Sequence, residues 1–398
     1  MPDRGSWARK PVADIVRQAE APRLARTLGP VSIVAIGIGA IVGAGIFVLT
    51  GTAAAQYAGP GIMLSFVLAS LACGFVGLCY AELASMLPVS GSTYAYTYAA
   101  IGELPAWMIG WDLILEYTMG AATVASGWSG YAVNLLHSWG VTVPASLTAS
   151  PGTLVTAADG TAVRAICNLP AAAIVLLLTL LLVRGTRDSS RFNNTMVAIK
   201  LSVVVAFIAV GAFHVDPANW QPLIPPNSGE FGHYGWSGIL RGASVVFFAF
   251  LGFDTVSTTA QEATRPQRDV PIGILGSLSI CTLLYIGVSA VLTGLVPYPQ
   301  LDVADPIAKG VDAIGLPWFA APIKLAAITG LTTVILVLLY GQGRILFAMS
   351  GDGLLPPVFA TVHPRRRTPY LSQIAIGLTV AALAALVPIN VLGEMVSI

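Results

Sequence analysis

The sequence predicts an all-α polytopic membrane protein, and three observations carry that prediction. Hydrophobic residues make up 56% of the chain and charged residues 10%, whereas a soluble domain carries about 25% charged residues. Apolar runs close to the ~20 residues needed to span a hydrocarbon core recur from end to end. The stretches between them are dense in Pro, Gly, Asn and Asp, which favour turns. A formal net charge of +1 gives nucleic acid no electrostatic footing, so the expected surroundings are membrane lipid.

Taken in order, residues 1–30 are polar and basic and show no cleavable signal pattern. They are expected to form a cytoplasmic N-terminal segment. Apolar runs follow at 31–49, 61–87, 105–136, 166–183 and 190–213, then at 239–260, 272–296, 317–346 and 371–387. A last run from 391 is expected to begin a tenth helix, within which the chain ends. The segments "ASPGTLVTAADGT", "DPANWQPLIPPNSGEFGHYGW" and "VPYPQLDVADP" read as loops. Lys and Arg accumulate on the cytoplasmic side of a membrane protein. With the N-terminus inside, that side receives Arg4, Arg9, Lys10, Arg17, Arg23, Arg26, Arg184, Arg187, Arg191, Arg265, Arg268, Arg344, Arg365, Arg366 and Arg367. Arg164, Arg241, Lys309 and Lys324 fall outside.

That leaves Lys200, in "RFNNTMVAIKLSVVVAFIAVG". It lies ~14 Å along the helix from Arg191, near the membrane midplane. A charged amine at that depth costs a few kcal/mol or more without a partner, so Lys200 is expected to face the protein interior. It reads either as a proton carrier or as a fixed strut against backbone carbonyls. Asp112 and Glu116, in "WDLILEYTMGAA", are four apart and share a helical face. Asp112 is nearer the helix end; Glu116 is deeper, placed to take a proton or face a cation. Asp254 sits inside the run containing "FFAFLGFDTVSTT", and Glu82 reads as a solvated or capping acid. Cys73, Cys79, Cys167 and Cys281 lie in apolar runs without metal-ligand spacing and read as small hydrophobes. His137, His214, His233 and His363 sit at segment ends or in loops. With neither a metal cluster nor a nucleophile–base pair, an integral-membrane enzyme is not expected, and no metal or other cofactor is implied.

The run "GIGAIVGAGIF" (37–47) places glycines in the middle of a spanning segment, each ~1 kcal/mol less favourable in a helix than alanine. Their spacing is not that of a dinucleotide-binding loop, and no strand precedes them. A Gly39–Gly43 pair is compatible with close helix packing. The other reading is a helix that unwinds at the midplane, which a membrane tolerates only where the freed backbone lines a cavity. The N-terminus of the outer half-helix then attracts a carboxylate and the freed carbonyls an ammonium. A zwitterion is thereby held without a charged side chain. "AFLGFDT" supplies a matching break in the sixth run.

Taken together, "LARTLGP", "GIGAIVGAGIFVLTG", "YAELASMLPVSGSTYAY", "GWDLILEY", "FFAFLGFDTVSTTAQEATRPQRDVPIGI" and "LYGQGRILFAMSGDGLLP" give a chain that resembles the amino acid–polyamine–organocation superfamily. The resemblance covers nearly the whole sequence and is strongest to bacterial permeases of the cationic amino acid transporter-like family. It implies the leucine-transporter fold, with two inverted five-helix repeats at 31–213 and 239–398, the second expected to be incomplete. Helices one and six are then broken at the midplane, and transport proceeds by alternating access. By motif position, the resemblance implies a substrate carboxylate at the N–H groups of Ala44 and Gly45 and an ammonium at the carbonyls of Ile41, Phe248 and Leu251. Relatives can carry a hydroxyl residue where this chain has Ala44. Phe248 matches an aromatic gate, and Phe253 is a second candidate cover. Lys200 matches a lysine whose amine stands where sodium sits in sodium-coupled members, against carbonyls around Gly39 and Val42. Lys200 and Glu116 are thus the proton-coupling candidates. Ile335 is expected to face the substrate side chain and leans towards a small neutral substrate, whereas Glu116 leans towards a cationic one. The implied activity is proton-coupled amino acid import across the cell membrane, with exchange and sodium-coupled symport as alternatives. An ion channel has no use for two broken helices with a lysine between them.

Overall fold

The computed structural model describes residues 7–20, 24–43, 45–156, 161–303 and 305–396, and it is mostly helical. The N-terminal segment supplies α1 (Val12–Glu20), which buries Ile15. Just before it, Lys10 pairs with Asp352, which also accepts a hydrogen bond from Tyr94 at 2.9 Å.

The first apolar run forms two pieces. Proline opens α2 (Pro30–Ile41), where its fixed φ suits the first helical turn. Val42 leaves helical space with ψ 93°. The chain resumes as a π-turn (Gly45–Leu49), α3 (Thr50–Ala53) and a second π-turn (Ala54–Ala58). Then come α4 (Ile62–Met86), the short α5 (Ser92–Ala100), α6 (Glu103–Ser138), α7 (Leu169–Arg184) and α8 (Thr186–Ala212). The sixth run is also divided. Its first part is α9 (Gly235–Phe247) and a 3₁₀ turn (Phe248–Phe250). Leu251 is extended (ψ 141°) and Gly252 is left-handed (φ +97°), before a 3₁₀ stretch (Phe253–Glu262) completes the run. A residue with a Cβ pays ~1–2 kcal/mol at such a φ, which accounts for the glycine. The chain continues as α10 (Pro266–Leu295), α11 (Pro306–Ala313), α12 (Pro317–Gly351), α13 (Tyr370–Leu386) and α14 (Ile389–Val396).

Two readings of the sequence change. The loop after α6 contains a hairpin: β1 (Leu154–Thr156) runs antiparallel to β2 (Ala162–Arg164), with β-branched Val155 opposite Val163. Helix α10 starts at Pro266 rather than near 272, opened by that proline and steadied by a polar first turn. Asp269 accepts from the Thr264 hydroxyl at 3.0 Å and the Arg265 N–H at 3.1 Å.

Among the described residues, five helical stretches are long and apolar enough to cross a membrane: Gly45–Met86, Thr186–Ala212, Gly235–Glu262, Pro266–Leu295 and Ala321–Gly351. The chain is thus a multi-pass membrane protein. Helix α12 is enclosed by α6, α8 and α13, while α10 packs along α4 and α2. Large apolar side chains point outward from the peripheral helices, including Leu71, Phe75 and Leu78 on α4, Leu177 on α7, Leu283 on α10 and Leu378 on α13. This outward apolar band suits hydrocarbon, and the polar side chains described below turn inward.

Candidate functional site

A helix leaves its last carbonyls without intrahelical partners, and the break after Ile41 keeps those of α2 inside the bundle. Lys200, from α8, is fully buried and takes up two of them, together with the carbonyl of Val42 just beyond the helix. Its Nζ lies 3.1 Å from the Ile38 carbonyl, 3.3 Å from that of Gly39, 2.8 Å from that of Val42 and 2.8 Å from the Thr333 hydroxyl. Thr333, on α12, reaches the Gly39 carbonyl at 3.0 Å. Among the described residues no carboxylate is in ion-pair contact with Lys200. The negative end of the α2 dipole faces the amine instead.

The two breaks abut. The buried Tyr285 hydroxyl on α10 lies 2.8 Å from the Ile41 carbonyl and 2.7 Å from that of Ala249, so one group straps both interrupted helices. Its ring packs against Phe66 and Phe250 with centroids 5.1 Å away in each case. Gly45 allows this approach, since a Cβ there would sit 2.7 Å from Ala249 Cα.

Beside the breaks lies a cavity of about 520 Å³, within the range typical of small-molecule sites. Ile41, Gly43 and Gly45 line it from the first break; Phe248, Ala249 and Leu251 line it from the second. The opposite wall comes from Gly120, Thr123 and Val124 of α6 and from Val334 and Leu338 of α12, and Leu49, Ser244 and Val245 extend it beyond the breaks. Among the described residues, no ionisable side chain lines this cavity.

Four of the sequence-selected residues, Ile41, Gly45, Phe248 and Leu251, therefore meet around one space, while Lys200, Gly39 and Val42 meet behind it. Ala44 lies outside the described residues. Ile335 does not line the cavity: it is fully buried, and Val334 and Leu338 face the space instead. One residue along α12 is a rotation of about 100°, enough to move a side chain off the wall. Phe253 is beyond Gly252, where its ring packs edge-on to Tyr80 with centroids 5.7 Å apart, and is not part of the cavity wall. Glu116 is half-buried one turn from Gly120 and lines neither the cavity nor the Lys200 contacts. Asp254 accepts a hydrogen bond from the buried Tyr117, whereas Asp112 and Glu82 are exposed.

Sequence reasoning missed Tyr285 and Thr333, whose only signal is a polar group inside an apolar run. It also missed the burial of Arg344. Expected among the cytoplasmic charges, this guanidinium is 1% exposed and paired with the fully buried Glu262 at 3.0 Å. A positive charge close to a helix end is counted as interfacial unless its partner, distant in sequence, is known.

Residues 28–398 match the family model described as amino acid permease. The methylthioribose transporter of Bacillus subtilis is 44% identical over 391 residues, covering 98% of this chain and 81% of that protein. The branched-chain amino acid permease BcaP of the same organism is 47% identical over 394 residues, 98% of this chain and 82% of that protein. Cationic amino acid transporter 9 of Arabidopsis thaliana, a chloroplastic protein, is 41% identical over 350 residues, 88% of this chain and 59% of that protein.

Proposed function

The chain belongs to the amino acid permease family, and from that premise we propose that it imports neutral aliphatic amino acids across the cell membrane by proton symport. The observation that carries the reading is the pair of abutting helix breaks, with a cavity on one side and a buried lysine on the other. In this reading the repeats 31–213 and 239–398 form a leucine-transporter-like fold with the N-terminus in the cytoplasm. The substrate carboxylate meets the N–H groups of Ala44 and Gly45, at the positive end of the helical segment that follows. Its ammonium meets the carbonyls of Ile41, Phe248 and Leu251.

The side-chain wall is mainly aliphatic, with Val124, Val245, Val334 and Leu338, and its polar groups are the uncharged hydroxyl residues Thr123 and Ser244. A guanidinium or ammonium placed there loses its hydration and finds no counter-charge among the described residues of the wall, which is costly in a buried site. The relative named as a branched-chain amino acid permease agrees with an aliphatic pocket.

Coupling follows from the Lys200 contacts. A protonated amine has three N–H donors and no lone pair, so it can hold the Ile38, Gly39 and Val42 carbonyls and the Thr333 hydroxyl together, one bond being shared. Loss of its proton removes one donor and the charge that the carbonyl dipoles stabilise. The inner half of the broken helix is then held less firmly, and its orientation depends on proton occupancy. A second reading has a specific observation behind it. The four contacts fully engage the amine, which also suits a permanent strut and hence an exchanger. Uptake of leucine into proteoliposomes under a proton gradient alone separates the two, because an exchanger accumulates label only against internal amino acid.

A further inference from the structure

One buried residue fastens the inner halves of the two broken helices to each other and also to the rest of the bundle. The Glu262 carbonyl accepts N–H bonds from Thr27 at 3.0 Å and Leu28 at 2.9 Å, and the Thr264 N–H returns one to the Leu28 carbonyl at 2.9 Å. This short parallel bridge joins the approach to α2 to the end of the 253–262 stretch. The Glu262 carboxylate, fully buried, meets the Arg344 guanidinium of α12 two-pronged: Nη2 to Oε1 at 3.0 Å and Nε to Oε2 at 3.2 Å. Thr186, the first residue of α8, donates to Oε1 at 2.6 Å, and the Tyr340 hydroxyl donates to Oε2. Gln373 on α13 stands 3.5 Å from Arg344 Nη1 and donates to the Leu339 carbonyl at 3.0 Å.

Two inner half-helices, bound as one unit, therefore meet α8, α12 and α13 at a single charged point. A buried ion pair contributes little net stability compared with apolar packing, but removing one partner strands the other charge. The pair therefore separates only where both groups reach water, so intermediate separations are unfavourable and the contact is close to all-or-none. The cavity extends past the breaks on the opposite side, along Leu49, Ser244 and Val245. We infer that Glu262–Arg344 is a latch: it holds the N-terminal side of the bundle shut while the other side is open, and it parts for substrate to leave. This inference rests on the alternating-access reading above.

The test uses the full chain in sealed vesicles of known orientation, with native cysteines replaced by alanine. One reporter is Ser257→Cys, buried on the 253–262 stretch, and the other is Leu49→Cys on the cavity wall. Each is labelled by a membrane-impermeant maleimide, Ser257→Cys from the N-terminal side and Leu49→Cys from the opposite side. Arg344→Met is expected to raise labelling of Ser257→Cys by at least about fivefold and to lower that of Leu49→Cys, the reciprocal change of a shifted population. Glu262→Gln, which keeps the volume, is expected to act in the same direction and carries the test if the arginine variant does not fold. Unchanged labelling at both reporters, or a rise at both, overturns the latch, the second outcome indicating simple loosening. Adding leucine to the wild type separates the two levels of inference. If leucine shifts neither reporter, alternating access itself fails; if it shifts both reciprocally while the variants do not, only the latch fails.

Discussion

Tyr285 shows how much one hydroxyl can hold. It is the side-chain donor shared by the Ile41 and Ala249 carbonyls, one from each broken helix, inside the bundle. Tyr285→Phe leaves these buried acceptors without it, at a cost of about 1–3 kcal/mol. The detergent-solubilised variant is expected to unfold several degrees lower in a thermal-shift experiment, and its KM for leucine should rise. A wild-type melting temperature and KM would place the bridge outside the energetics of the site. Gly45 makes a steric prediction. In Gly45→Val a Cβ meets Ala249 at 2.7 Å from its Cα, and the added methyl groups crowd the backbone that the proposed reading assigns to the substrate carboxylate. Leucine affinity by calorimetry should fall at least about 100-fold, equivalent to the upper range of overpacking costs. Unchanged affinity would remove the first break from the site. Val334, which the wall uses in place of Ile335, bears on selectivity. Val334→Phe should reduce leucine uptake about tenfold while sparing alanine, since pocket volume discriminates by only a few kcal/mol.

The interrupted helices are the elements on which the fold and the site depend, and their stability should answer to the backbone at the second break. Gly252 has φ +97°, and a Cβ there lies 3.0 Å from that of Ala40. Gly252→Ala should cost about 1–2 kcal/mol, seen as a lower thermal midpoint, with leucine binding weakened in step. A neutral outcome would mean that the break is not fixed by this turn. At this scale the sequence was informative. Apolar runs placed the long helices, and the glycines of 37–47 and the "LGF" of 251–253 marked the two breaks. Helices α5 and α11 escaped because they are too short to span, and the start of α10 escaped because its first turn is polar. Side-chain facing was legible only where chemistry left one choice. A midplane lysine must turn inward, and Lys200 does; an isoleucine among apolar neighbours can face anywhere, and Ile335 turned away from the cavity. Tyr285 and the Glu262–Arg344 pair could not be found by pattern because their partners are distant in sequence.

At the scale of the whole molecule, the inner half of the first broken helix is held by two separate polar contacts. Lys200 grips the carbonyls of α2, and the Glu262–Arg344 pair ties the approach to α2 to α8, α12 and α13. In the proposed reading, proton binding at Lys200 and substrate release at the Glu262–Arg344 pair therefore act on the same moving part. Proton coupling through Lys200 is tested by leucine accumulation in proteoliposomes containing wild type or Lys200→Met, under an imposed proton gradient and separately under a sodium gradient. Wild type is expected to concentrate leucine with protons and not with sodium, and Lys200→Met to lose at least about nine-tenths of that accumulation while still exchanging internal for external leucine. Undiminished proton-driven accumulation by Lys200→Met would contradict that coupling and leave Lys200 a strut.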